Sequence, residues 1–295
     1  MNTSLDKLLA VLLFILGLLF LLSGNSSGGS TANLTPCRLS SVEEVKNCLL
    51  TNRRDATDFS NLLQGESVLI FGETYLSVDN RFELMTALPA LKNLGFTRLA
   101  LEAMPSSRQS LVNEYKQGRV PRQEIKAAIK SIWGHSPESY MQVIDAALDQ
   151  GIEVVFLDRD YERVDLHADN WQELEKQARN RREKHWLNVL TRQLEQHPGA
   201  RMLVLVGSDH ISPQAATMPL QCRLRQSGIA AASIAIAGGG VFYDDVLTRA
   251  ARQGRLERSK FFVRLAPIKG AWQGMDFYLH LPQTSEKRKI YSYSE

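Results

Sequence analysis

The chain lacks a dominant charge. Its 35 lysines and arginines nearly balance 32 acids, leaving a net charge of +3 over 295 residues. Basic residues are mixed with acids along helical stretches, so nucleic-acid binding, which rests on a concentrated basic face, gets no support. The densest basic spots, around Arg179 to Arg182 and Lys287 to Lys289, read as solvated faces or a tail. The chain also lacks internal repeats, heptads and a recognisable second domain. It has no Walker loop, dinucleotide fingerprint, His-Glu-x-x-His motif or Gly-x-Ser-x-Gly nucleophile element, and the corresponding nucleotide, zincin and α/β-hydrolase assignments fall away. Cysteine is scarce, with three in all.

No apolar run is as long as the about 20 residues that suit a spanning helix. The nearest is Leu8 to Leu22, preceded by Lys7 and followed by the polar stretch Ser23 to Ser30. That pattern drives export and has the length of a signal-peptide core. Residues 1–23 are therefore a cleaved signal sequence or an uncleaved membrane anchor, and both remain open. Lipidation is rejected because the first cysteine, Cys37, lies well beyond the apolar run. Residues 24–36 read as a flexible Ser/Gly-rich tether, and residues 37–295 as one domain. Export implies an oxidising compartment, where a disulfide between Cys37 and Cys48 would staple the start of that domain. Cys222 is then the odd one out, in a setting that suggests a buried helix position.

What the sequence does have is a series of short apolar runs that stop at ionisable groups. They are Val68-Leu-Ile-Phe-Gly-Glu73, Leu99-Ala-Leu-Glu102, Ile152 to Asp158 with Asp160 just beyond, and Met202 to His210. Such runs, bounded by turn signals, read as strands buried on both faces of a parallel sheet. Helical spacing separates them. An opening helix follows Ser41, and Leu84, Leu88, Leu91 and Leu94 keep step through 79–94. Further helices are expected over 105–118, 121–133 and 136–151, the last with Ser136 as its cap, Pro137 next and Gly151 just past its end. A charged stretch over 166–197 leaves room for a central break, and 213–228 follows the fourth strand. Ile229 to Ala237 is a fifth strand, with edge strands near 261–265 and 276–281. This alternation predicts an α/β fold, a mostly parallel central sheet with helices on both faces.

In an open α/β sheet, ligands bind outside the carboxyl ends of the strands. Glu73, Glu102, Asp158, Asp160, Asp209 and His210 are expected there. A carboxylate ending a buried strand needs a pocket, a cation or a proton. Glu73 and Glu102 form the strongest pair, joined by His210 beyond the Gly207 turn, and suit general acid–base work or cation binding. Glu73 and His210 are the candidate metal ligands. His135 lies in a loop able to cover the same edge. Arg182, beside Glu183 on the long helix, suits clamping an anion or neutralising the acids. Plainer assignments stand beside these: a structural salt bridge for either glutamate, a self-paired turn at Asp158-Arg159-Asp160, and an exposed charge lattice at Arg182 and Glu183. Packing or surface roles suit His167, His185, His197 and His280.

Gly72-Glu73, Ala100-Leu101-Glu102, Arg182-Glu183-x-x-Trp186-Leu187 and Val206-Gly207-Ser208-Asp209-His210 resemble, in order and spacing, one superfamily. It contains ChaN-like haem-binding proteins, Tiki proteases and erythromycin esterases. The similarity spans roughly Val68 to Leu281. It implies an α/β fold with its site at the strand ends. ChaN-like members are exported bacterial proteins linked to haem and iron uptake, whereas the Tiki and esterase branches hydrolyse bonds, some with a metal. Two departures stand out. Relatives usually carry Gly-Glu-x-His at the first strand end, where this chain has Tyr75, and often Arg-Asp-x-x-Met-Ala on the helix, where it has Glu183 and Trp186. The first departure removes a metal ligand or base.

The resemblance therefore implies a cell-envelope protein of the ChaN-like branch, periplasmic or anchored by residues 8–22, that binds a small molecule. If that ligand is haem, Tyr75 or His210 is the candidate iron ligand. The alternative is a hydrolase of esters or peptides. There Glu73 or Glu102 activates water, and His210 with Arg182 stabilises the oxyanion, with or without a divalent metal. A third outcome is a non-catalytic scaffold. Tyr75, His135, Asp158, Arg182, Glu183 and Asp209 are the expected ligand contacts. Tyr75 favours the first and third outcomes, since tyrosinate can hold ferric haem but is unusual in a hydrolytic metal site.

Overall fold

The computed structural model describes residues 35–38, 40–54, 59, 63, 65–75, 77–134, 136–160, 169–212, 217–238, 246–266 and 275–282. The apolar segment 8–22, the tether up to Leu34 and His135 lie outside the described residues. Among the described residues, no helix is long and apolar enough to cross a membrane.

The apolar runs form one sheet: β1 (Val68–Glu73), β2 (Phe96–Pro105), β3 (Glu153–Asp158), β4 (Arg201–Gly207), β5 (Ala231–Gly238), β6 (Phe261–Arg264) and β7 (Phe277–Leu281). Their order is β3-β2-β4-β1-β5-β7-β6. Every pairing is parallel except β6 with β7. The helices are α1 (Val42–Asn52), α2 (Val78–Asn93), α3 (Gln109–Lys116), α4 (Arg122–Ile132), α5 (Pro137–Asp149), α6 (Trp171–Gln196), α7 (Leu220–Gln226) and α8 (Val246–Gln253).

The chain moves outward from β1 to β2 and β3, then returns to β4 and β5. Right-handed crossovers in opposite directions put α2 to α5 on one face and α6 with α7 on the other. Side-chain alternation follows. Val68 and Ile70 join Trp186, Leu190, Leu220, Leu247, Val45 and Leu49 in one core, while Leu69 and Phe71 turn to the opposite face and are equally buried. Because both faces are covered, the runs read as continuous rather than alternating hydrophobics.

The structure departs from the sequence expectation in several places. β4 pairs with both β1 and β2, so the consecutive runs ending at Glu73 and Glu102 are not neighbours in the sheet but flank the strand that leads to His210. The long helix α6 is unbroken, held through its polar middle by the buried residues Glu183, Trp186, Val189 and Leu190. Ser136 does not cap α5 with its side chain. It adopts a left-handed backbone, φ 39°, and its carbonyl accepts from the Ser139 hydroxyl. The helix after β4 starts only at Leu220, following Pro219.

Both sheet edges are closed. On β3 the Gln109 side chain donates to the Val154 carbonyl (2.9 Å) and accepts from the Phe156 amide (2.7 Å), acting as a short strand would. On β6, Cys37 and Arg54 exchange backbone hydrogen bonds with Arg264, Ala266 and Phe262 at 2.8–2.9 Å. A disulfide joins Cys37 to Cys48 of α1, with Cα atoms 5.7 Å apart. Closing a loop of this size restricts the unfolded chain by about 3 kcal/mol. Cys37→Ser/Cys48→Ser should lower the stability of the folded domain by about that amount in urea unfolding; an unchanged midpoint would show that the bridge constrains nothing.

Candidate functional site

The carboxyl ends of β1, β2, β3 and β4 converge as expected, and each acid there has a named partner. Glu102, in β2, is buried. It accepts from the Tyr75 hydroxyl (3.0 Å) and the Gly207 amide (2.6 Å). Arg182 Nη2 lies 2.9 Å away and His210 Nε2 3.5 Å away. Arg182 also donates from Nε to Asp158 (2.6 Å), whose carboxylate takes the Trp186 indole N–H as well (3.0 Å). His210 Nδ1 meets Glu183 at 2.9 Å, and Arg223 and Thr217 complete the shell of Glu183. Glu73 belongs to a second group. It pairs with the fully buried Arg81 and accepts from the Tyr140 hydroxyl at 2.5 Å. Arg81 also donates to Ser139 and to the Tyr75 carbonyl.

Two glycines make this crowding feasible. A Cβ at Gly207 would lie 2.0 Å from the Tyr75 oxygen, and one at Gly72 would lie 2.3 Å from Ile211. Tyr75 thus rests directly on the end of β4, with Trp133 edge-on to its ring at 5.0 Å.

Burial alone would push Glu102 up, but Arg182, His210 and the Gly207 amide outweigh it and hold the carboxyl at about 2. Burial opposes the charged form of His210, yet Glu102 and Glu183 raise it above its ordinary 6.5. Burial raises Glu73 despite Arg81. The Tyr75 phenol is pushed well up by burial and by Glu102. With His210 protonated, Arg182, Arg223 and His210 balance Glu102, Asp158 and Glu183, so the buried network is neutral. That is what makes it tolerable away from water.

Residues 59–192 match the family model described as "Haem-binding uptake, Tiki superfamily, ChaN". The matched stretch takes in β1, β2 and β3 and most of α6. No curated protein matches it in sequence. The solved structure of the type III effector HopBA1 is similar with a TM-score of 0.55 at 15% identity, covering 87% of this chain and 100% of that one. Erythromycin esterase EreC, as a histidine-to-asparagine mutant in its open conformation, gives 0.55 at 10% identity, covering 77% and 95%. At such identities the likeness is one of fold. ChaN of Campylobacter jejuni, described as binding haem cofacially, gives 0.42 at 12% identity, covering 72% and 87%.

Within the strand-end site the structure brings together Tyr75, Glu102, Asp158, Arg182, Glu183 and His210. Glu73 stands beside them in the Arg81 group. Asp209 is exposed, with Arg179 3.8 Å away, and does not join. Asp158 pairs with Arg182 rather than with its own turn, and Asp160 accepts from Ser107 (2.9 Å). Arg81, Tyr140, Arg223 and Trp133 were not singled out as site residues from the sequence. Arg81 and Tyr140 sit at ordinary helical positions, and only the fold turns them onto Glu73. His185, expected to be a packing or surface residue, meets Ser106 Oγ (2.9 Å) and the Asp158 carbonyl (3.1 Å) at the rim. Among the described residues, no group of three or more His, Cys, Asp or Glu is arranged to hold a metal ion.

Two consequences can be measured. Glu102, lowered to about 2 from 4.5, contributes stability that is present above pH 4.5 and lost as pH falls toward 2. His210, raised above 6.5, contributes stability that is full below 6.5 and lost as pH rises through its folded value. Thermal unfolding should flatten on the acid side in Glu102→Gln and on the alkaline side in His210→Asn; an NMR titration placing His210 below 6.5 would contradict the network. Arg81→Met should cost about 3–5 kcal/mol by stranding the Glu73 charge. Adding Glu73→Gln should recover part of that loss in urea unfolding.

Proposed function

We propose that this is an exported small-molecule-binding protein of the ChaN-like kind, with haem its first candidate ligand. One observation carries the proposal: the strand-end acids are already neutralised by the chain's own arginines. What remains toward solvent is a half-buried rim of Tyr75, Trp133 and Arg182, with Arg182 5.7 Å from the Trp133 ring centre. Such a rim suits a flat, anionic ligand, through stacking and charge pairing. The family description supports haem. The Leu8–Leu22 run and the Cys37–Cys48 disulfide support export to the cell envelope.

Neither strand-end candidate fits as an axial iron ligand. The Tyr75 phenol donates to Glu102 and resists ionisation, and both ring nitrogens of His210 face carboxylates, which favour its protonated form. Haem would rest on the rim, with Arg182 facing its carboxylates. Haemin titration should give saturable binding whose Soret maximum is unmoved by Tyr75→Phe, while Trp133→Ala weakens it by about tenfold. Absence of saturation in the wild type would overturn the proposal.

A second reading, an ester or peptide hydrolase, is favoured by the orientation of His210. Glu183 fixes Nδ1, leaving Nε2 aimed at Glu102 and able to donate a proton. His210→Ala should then lower turnover of an ester panel by about a hundredfold or more. Wild type that neither binds haemin nor turns over any ester or peptide would leave the non-catalytic scaffold.

A further inference from the structure

Along the sequence the arginines are dispersed among acids, but the fold gathers several of them on one border of the domain. Between Val246 and Ala266 the chain has six lysines and arginines and one acid, Glu257. That stretch forms α8 and β6, the outermost strand of the sheet. Arg38 and Arg54 arrive from the start of the domain. Cys37 and Arg54 make backbone bonds to Arg264, Ala266 and Phe262 on the outer side of β6, which places Arg38 and Arg54 near opposite ends of the strand. Arg249, Arg252 and Lys260 have partners of their own. Arg38, Arg54, Arg255, Arg258 and Arg264 are exposed, and among the described residues none of these five makes an ion pair. Arg255 also holds a left-handed backbone, φ 56°, where a glycine would be less strained.

We propose that this border docks on an anionic phospholipid surface. The arginines are spread along roughly 10 Å of strand and the end of α8 instead of converging on a point. A single small anion would meet one or two of them, whereas a plane of lipid phosphates meets them together, and each adds to the attraction. Arginine suits such phosphates because its planar fork carries paired donors. Two features favour lipid over another polyanion. Leu50, four residues before Arg54 on α1, is 46% exposed, and an apolar side chain among cations suits the headgroup boundary. Only 14 residues separate Leu22, the end of the apolar run, from Cys37, so a segment apolar enough to enter a bilayer joins the domain at this border. The strand-end site makes no use of these arginines, and the proposal does not depend on the haem reading.

Residues 35–295 form a compact unit, and the test uses that unit, because the apolar run would itself enter lipid. Co-sedimentation with vesicles is measured at fixed ionic strength. Vesicles of equal parts phosphatidylcholine and phosphatidylglycerol should retain the protein, and pure phosphatidylcholine should not. Raising the salt concentration should release it, since exposed charges are screened. Arg54→Ala and Arg258→Ala should each weaken retention about fivefold. Arg108→Ala removes an exposed arginine at the far edge of the sheet, next to β3, and should leave retention unchanged. No retention by the anionic vesicles, or an equal loss in Arg108→Ala, would overturn the proposal. So would tighter binding to duplex DNA at the same phosphate concentration, which would assign the border to nucleic acid. Haemin titration of the same variants should be unchanged, which separates this border from the strand-end rim.

Discussion

The guanidinium of Arg182 lies between the carboxylates of Glu102 and Asp158 and over the rings of Trp133 and Trp186. Without it, two buried negative charges would stand at the ends of the adjacent strands β2 and β3 with little to offset them. The remaining arrangement depends on this bridge. Arg182 holds the Glu102 carboxyl down, and the Glu102 charge in turn favours the protonated form of His210 and the neutral form of Tyr75. Opposite charges a few ångströms apart in a weakly polar interior interact far more strongly than in water, so each protonation state sets the next.

This wiring bears on how the chain differs from the pattern it resembles. A histidine at position 75 would face Glu102 as a base or a metal ligand. Tyrosine there is instead a hydrogen-bond donor that is hard to ionise, and it fits only because residue 207 has no side chain. The strand-end acids are paired with donors from the chain itself, and the aromatic rim of Tyr75 and Trp133 lies between them and solvent.

Much of the fold was legible because it rests on local signals. The apolar runs ending at Glu73, Asp158 and Gly207 identified three strands and their shared edge, since burial on both faces leaves a hydrophobic run that turn residues must end. Strand order was not legible. Nothing in the sequence of β4 says that it inserts between β1 and β2, because parallel strands are paired by crossovers and packing rather than by a turn. The continuity of α6 was ambiguous for a similar reason: its polar middle looks like a break until Glu183 is seen to serve Arg223 and His210. Glu102, Arg182 and His210 were legible as a group through their positions and the family resemblance. Arg81 and Tyr140 were not, because a helical arginine or tyrosine carries no local mark of the buried carboxylate it will meet.

The backbone bonds from Cys37 and Arg54 to β6 have a bearing on solution behaviour. They occupy donors and acceptors that would otherwise line an open strand, and the bridge to α1 keeps Cys37 in position. In a reducing environment the first thing lost would be this cover, leaving a hydrophobic strand free to pair with another chain. The domain's weak point under reduction is then self-association along one side of the sheet, and the compartment in which it folds governs its solubility as much as its stability.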